Sequence, residues 1–105
     1  MIDPVYLIKA KEILTSLVPL APNDPKILYS LGVIEARLGE FDNSIKDFDK
    51  AIELKQNYKD PHYSKALILI QLKQRGKAIN ELEFILKNIN PEDELIKAQL
   101  EKLKS

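Results

Sequence analysis

Residues 25–56, PKILYSLGVIEARLGEFDNSIKDFDKAIELKQ, decide the fold. Apolar residues recur at helical spacing from Ile27 to Leu38, break at Gly39-Glu40 and resume from Phe41 to Leu54. That pattern predicts two amphipathic helices joined by a tight turn. Gly32 and Ser44 are small enough to let the two helices approach closely, while Leu28, Phe41 and Phe48 supply bulk beside the contact. These residues specify shape rather than reactivity.

Leu28, Leu31 and Gly32, followed by Phe41, Ser44, Phe48 and Ala51, fall close to the large-small pattern of the tetratricopeptide repeat (TPR), which this stretch resembles. The resemblance implies neighbouring copies offset by about 34 residues, because a single helical hairpin cannot bury its apolar surface on both sides. The chain supports that period in both directions. Ser44 shifts to Ala10 and Ala78, Phe48 to Leu14 and Leu82, Ala51 to Leu17 and Ile85, and Ile52 to Val18 and Leu86. Gly32 shifts to Ala66, and Glu35, where the family favours an apolar residue or Tyr, shifts to Leu69. Departures occur at His62 for Leu28, Lys65 for Leu31 and Arg75 for Phe41. The proline that usually closes the second helix is present as Pro22, absent at Gln56 and displaced by one at Pro91.

The expected fold is all-α: a right-handed superhelix of stacked antiparallel helix pairs, about six helices in one domain over residues 1–105. Residues 4–22 hold the second helix of a partial repeat, with Asp3-Pro4 as cap and first turn, and Pro19 and Pro22 as stops. Full repeats follow at 25–57 and 59–90, with cap-and-proline signals at Asn23-Asp24-Pro25 and Asp60-Pro61. A capping helix occupies 91–104, opened by Asn90-Pro91 and carrying Leu95, Ile96, Leu100 and Leu103 on its apolar side. Its acidic start, Glu92 to Glu94, and its basic end, Lys102 and Lys104, both suit the helix dipole. Gly39 suits a left-handed helix end, and Gly76 is expected to serve the equivalent turn one repeat later. Tyr58 is expected to pack at the junction between repeats. The first helix of the partial repeat would precede Met1, so the chain reads as a segment of a longer array in preference to a protein that begins with an orphan helix, and the unpaired N-terminal helix offers a contact for a homodimer.

Composition narrows the function. The 105 residues carry 16 basic and 16 acidic side chains, interleaved, so no net field draws nucleic acid. Without cysteine there are neither disulfides nor thiolate metal sites. The longest apolar run, Ala66 to Ile70, is far short of the roughly 20 residues that span a bilayer, so no direct membrane contact is expected. A cytoplasmic location is the default expectation. His62, the only histidine, has no ligand or base at helical spacing and stands in the slot of Leu28. Asp42, Asp47 and Asp49 lack the glycine and terminal glutamate of a calcium loop. Glycine-rich phosphate loops are missing, and the serines have no histidine partner. No enzyme activity, cofactor or metal is expected.

The resemblance implies a protein or peptide ligand, because TPR arrays line their concave surface with the first helix of each pair. Carried over residue by residue, the lining is Lys26, Tyr29, Val33, Ala36 and Arg37, then Asp60, Tyr63, Leu67, Ile70 and Gln71. Tyr29 and Tyr63 suit such a surface, since each presents a large apolar face and a hydroxyl at little entropic cost. In the other reading, Leu67 and Ile70 cover the last helix, and the repeats act as a spacer or self-association element, alone or as a segment of a larger enzyme or membrane protein. Some co-chaperone TPRs grip a peptide's terminal carboxylate through Lys, Asn and Arg. At those places this chain has Tyr29, Val33 and Ser64, or Ser30, Asp60 and Ser64, so an apolar or mixed ligand is expected instead of a chaperone tail.

Overall fold

The computed structural model describes residues 3–105, which form six α-helices and, among the described residues, no strand: α1 (Pro4–Leu17), α2 (Pro25–Arg37), α3 (Phe41–Leu54), α4 (Lys59–Gln71), α5 (Arg75–Asn88) and α6 (Glu94–Lys104). A helix expected before Met1 lies outside these residues. The chain divides into two compact units, the first ending at Gln56 and the second comprising Asn57–Ser105. No helix of the described chain is long and apolar enough to cross a membrane.

In the first unit, α1 packs on α2 and α2 on α3. Side-chain caps start two of these helices: the Asp3 carboxylate accepts from the Val5 amide, and that of Asp24 from the Lys26 amide, both at 2.9 Å. A 3₁₀ turn at Val18–Leu20 ends α1. The α2–α3 crossing is as close as the small residues predict. The Ser44 hydroxyl donates to the Gly32 carbonyl at 2.6 Å, and a Cβ on Gly32 would lie 2.6 Å from Phe48 Cε1. From Ser44 to Phe48 the contacts on α2 retreat from Gly32 to Tyr29, whose ring centroid lies 5.7 Å from that of Phe48, so the pair is antiparallel. Gly39 takes φ 79° and lets the Glu40 amide reach back to the Glu35 carbonyl at 2.8 Å, closing α2. Glu40 makes no side-chain cap for α3, its carboxylate being paired with Lys11 of α1.

In the second unit, α4 and α5 run antiparallel: His62 and Lys65 both meet Glu81, at 2.8 and 3.4 Å, and the earlier of the two, His62, also stacks on the later Phe84. Helix α6 packs on α5 and is tied to α4 by side chains, with Lys59 on Asp93 at 2.6 Å and the Tyr63 hydroxyl accepting from Gln99 at 3.4 Å. Ala66, Leu82, Ile85, Ile96 and Leu100 form the core, with Tyr63, Ile79, Leu86, Ile89 and Leu103 packed around it.

Several sequence expectations are corrected. Helix α4 starts at Lys59 behind Tyr58, which takes the N-cap place without a side-chain bond; Asp60 therefore sits in the first turn and is not the cap. Asn90 does not cap α6. Its side-chain Oδ1 accepts from the Glu92 amide in a local turn, and α6 starts three residues later, where the Asp93 carboxylate accepts from the Ile96 amide at 3.1 Å. Gly76 lies inside α5; the left-handed residue is Lys73, at φ 62°, one period after Gly39. Leu95, expected on the apolar side of α6, is 56% exposed.

Candidate functional site

Each residue expected to line a ligand surface belongs to α2 or α4. On α2, Lys26 and Arg37 are exposed while Tyr29, Val33 and Ala36 are half-buried. Tyr29, Val33 and Arg37 come together with Leu14, Ser30 and Ile34 in a depression of about 390 Å³ between α1 and α2. Its walls are mostly aliphatic and aromatic, with the hydroxyls of Tyr29 and Ser30 and the Arg37 guanidinium as polar groups. That composition suits an apolar side chain with a polar neighbour. Lys26 and Ala36 are not among its lining residues. Sequence reasoning missed Leu14, Ser30 and Ile34 because it assigned the ligand surface to one face of α2 and left α1 out.

On α4, Asp60, Leu67 and Gln71 are exposed, and Tyr63 and Ile70 are half-buried. Tyr63 is engaged by α6, since its ring packs on the core and its hydroxyl meets Gln99. Ile70 joins Lys73, Arg75 and Leu103 around a separate depression of about 410 Å³. Leu67 is 42% exposed on α4, whereas Ile68 beside it is buried. The consecutive apolar run Leu67 to Ile70 is thus split between core and surface by the advance of about 100° per residue.

Electrostatics are strongest away from these depressions. Glu35 is 4% exposed, its Oε1 has no hydrogen-bond partner, and burial together with a hydrogen bond to Asp47 pushes its carboxyl up to about 8. Lys11 and Glu40 form an ion pair that raises the lysine and lowers the glutamate. Burial pushes Glu81 up, but the hydrogen bond from His62 and the nearby Lys65 outweigh it and hold the carboxyl below its ordinary range. His62 is therefore a buried partner of Glu81, stacked on Phe84 at 4.3 Å, in the slot that Leu28 fills one period earlier. Among the described residues no group of three or more His, Cys, Asp or Glu is placed to hold a metal ion.

Residues 25–58 match the family model for the tetratricopeptide repeat. No curated protein matches the chain by sequence. Among solved structures, the chain is similar to the first TPR of Spaghetti (RPAP3) bound to the HSP90 peptide SRMEEVD, with a TM-score of 0.82 and 18% identity over 93% of this chain and 79% of that one. It is also similar to the type III secretion chaperone SycD of Yersinia enterocolitica in complex with a peptide of the translocator YopD, with a TM-score of 0.86 and 18% identity over 94% of this chain and 80% of that one. A further structure of SycD from the same organism gives a TM-score of 0.82 and 19% identity over 94% and 72%. At such identities the likeness carries the fold. Residues 25–58 are a tetratricopeptide repeat, and the chain as a whole has the all-α solenoid fold of TPR domains.

Proposed function

We propose that the protein is a non-catalytic interaction module that takes a peptide or a partner's helix against the concave face, lined by the first helix of each pair. The observation that carries this reading is the depression formed by Leu14, Tyr29, Ser30, Val33, Ile34 and Arg37, which is apolar, open and edged by one cation. The exposed Leu67 on α4 supports it, as do the peptides carried by the RPAP3 and SycD structures. The mechanism is passive: apolar anchors of the ligand are buried, and Lys26, Arg37 and Asp60 orient it. Because this chain lacks the Lys, Asn and Arg donors of a terminal-carboxylate clamp, the ligand is an apolar or mixed segment.

Selection of peptides from a random displayed library on the wild-type protein, followed by binding to Val33→Glu and Leu67→Glu variants, tests the reading. Loss of about tenfold or more in affinity in either variant, with the fold retained by circular dichroism, is expected for a charge placed in an apolar contact. Peptides that bind both variants as tightly as wild type would refute it.

Self-association is the second reading. Tyr6, Ile13 and Leu17 recur along one side of α1 and are 69%, 61% and 37% exposed, a stripe that suits a homodimer contact. Sedimentation over a concentration series, with Ile13→Glu as control, distinguishes the two. A dimer lost in that variant while peptide binding persists assigns separate surfaces.

A further inference from the structure

The turn from α4 into α5 is where the second unit departs most from the first. Shifted by one period, Gly39-Glu40-Phe41-Asp42-Asn43 becomes Lys73-Gln74-Arg75-Gly76-Lys77. Two carboxylates and no cation are exchanged for three cations and no carboxylate. Two of these exchanges oppose the fold. Lys73 is held at φ 62°, where the earlier turn uses a glycine, and Arg75 is exposed where Phe41 is half-buried. Side chains that stand against backbone and packing preference point to a role outside folding.

Lys73, Arg75 and Lys77 are exposed, and none forms an ion pair among the described residues. Two of them also wall the depression of about 410 Å³ whose other lining residues are Ile70 and Leu103. Cationic and apolar surface therefore meet at one place. We propose that this turn is a docking surface for an acidic protein segment bearing one apolar anchor, the anchor entering between Ile70 and Leu103 and the flanking carboxylates meeting Lys73, Arg75 and Lys77. Nucleic acid fits less well: three cations release few counterions, the chain has no net charge, and apolar walls offer nothing to phosphate. The proposal goes beyond the groove reading and shares only Ile70 with it.

The test is titration of the full ¹⁵N-labelled chain with the amide-capped peptide GEELEDG, read by amide chemical shifts. Shifts are expected at Ile70, Leu103 and residues 72–77, with affinity falling about tenfold between about 50 and about 500 mM NaCl. Replacing the peptide's leucine by serine should weaken binding about tenfold or more, as loss of a buried aliphatic anchor requires. The double variant Lys73→Gly/Arg75→Phe restores the first unit's residues. It should melt a few degrees higher, because Gly relieves the left-handed backbone, yet bind about tenfold more weakly. The proposal is overturned by an absence of shifts up to about 1 mM peptide, by shifts confined to other residues, or by unchanged binding in the double variant. Equal binding of the serine peptide, of a short single-stranded DNA or of anionic vesicles would also overturn it, since charge alone would then suffice. The groove is tested separately at Val33, so failure of one surface leaves the other standing.

Discussion

Replacing Glu35 by leucine should stabilise the first unit, and by an amount that depends on pH. Glu35 is buried where the next repeat has Leu69, which is 3% exposed. The charged groups around it are Asp47 of α3, Lys11 of α1 and Glu40 of the α2–α3 turn, and the net effect raises its carboxyl from 4.5 to about 8. An acid whose folded value is raised contributes fully below its unfolded value, and that contribution is lost as pH rises through the folded one. Between about pH 4.5 and 8 folding must therefore take up a proton, at about 1.4 kcal/mol per pH unit, so that near pH 7 the native state is about 3 kcal/mol less stable than near pH 4.5 on this account. Glu35→Leu removes this cost and gives up the hydrogen bond to Asp47, leaving a gain of about 2 kcal/mol at pH 7. Glu35→Gln, which keeps the shape and a donor, should recover much of the same gain. The assay is urea unfolding of wild type and both variants at pH 5, 6, 7 and 8. Wild type should lose stability steadily across that series, and the gap to both variants should widen with pH. A wild-type curve that is flat from pH 5 to 8, or a leucine variant less stable than wild type at pH 7, would refute the reasoning.

Gly32→Ala places a Cβ 2.6 Å from the Phe48 ring, so the α2–α3 contact must open; a loss of about 1–3 kcal/mol is expected in urea unfolding, and an unchanged midpoint would mean that the helices yield freely. Asp93→Ala removes the cap of α6 and the partner of Lys59, at a cost of about 1 kcal/mol. Because Lys59 and the Ile96 amide hold Asp93 below its usual 3.8, its contribution should persist above that pH and fade as pH drops further; hydrogen exchange in α6 measures both effects. A double-mutant cycle with His62→Leu and Glu81→Leu should give a coupling of about 1–3 kcal/mol, each single change leaving a buried polar group short of its partner. Additive losses would mean that packing against Phe84, rather than the hydrogen bond to Glu81, holds His62.

The helix pairs were legible because their small and large residues repeat with the chain. Gly32, Ser44 and Phe48 carry the tight crossing in sequence and in structure. Helix starts were less legible. Asn90-Pro91 has the composition of a cap, but the cap is supplied by Asp93, where Lys59 and the Ile96 amide both reach the carboxylate. Gly76 has the residue type that suits a left-handed turn, whereas the period places that turn at Lys73, a residue that local propensity disfavours there. Buried polar partners were invisible in one dimension. Glu81 lies 19 residues from His62 in sequence and meets it only because α5 folds back on α4. The same limit applies to the candidate site: Tyr29, Val33 and Arg37 were named from the family pattern, while Leu14 enters from α1, which the pattern leaves outside the ligand surface.

The most direct test of the interaction reading is site-specific photo-crosslinking with benzoylphenylalanine placed at Val33, at Leu67 and, as a control, at the exposed Lys50, each carried in the cell of origin. The account predicts a discrete partner adduct from the first two positions and none from the third, with the crosslinked peptide containing apolar residues. Adducts of equal yield and identity from all three positions, or an adduct from Lys50 alone, would contradict it.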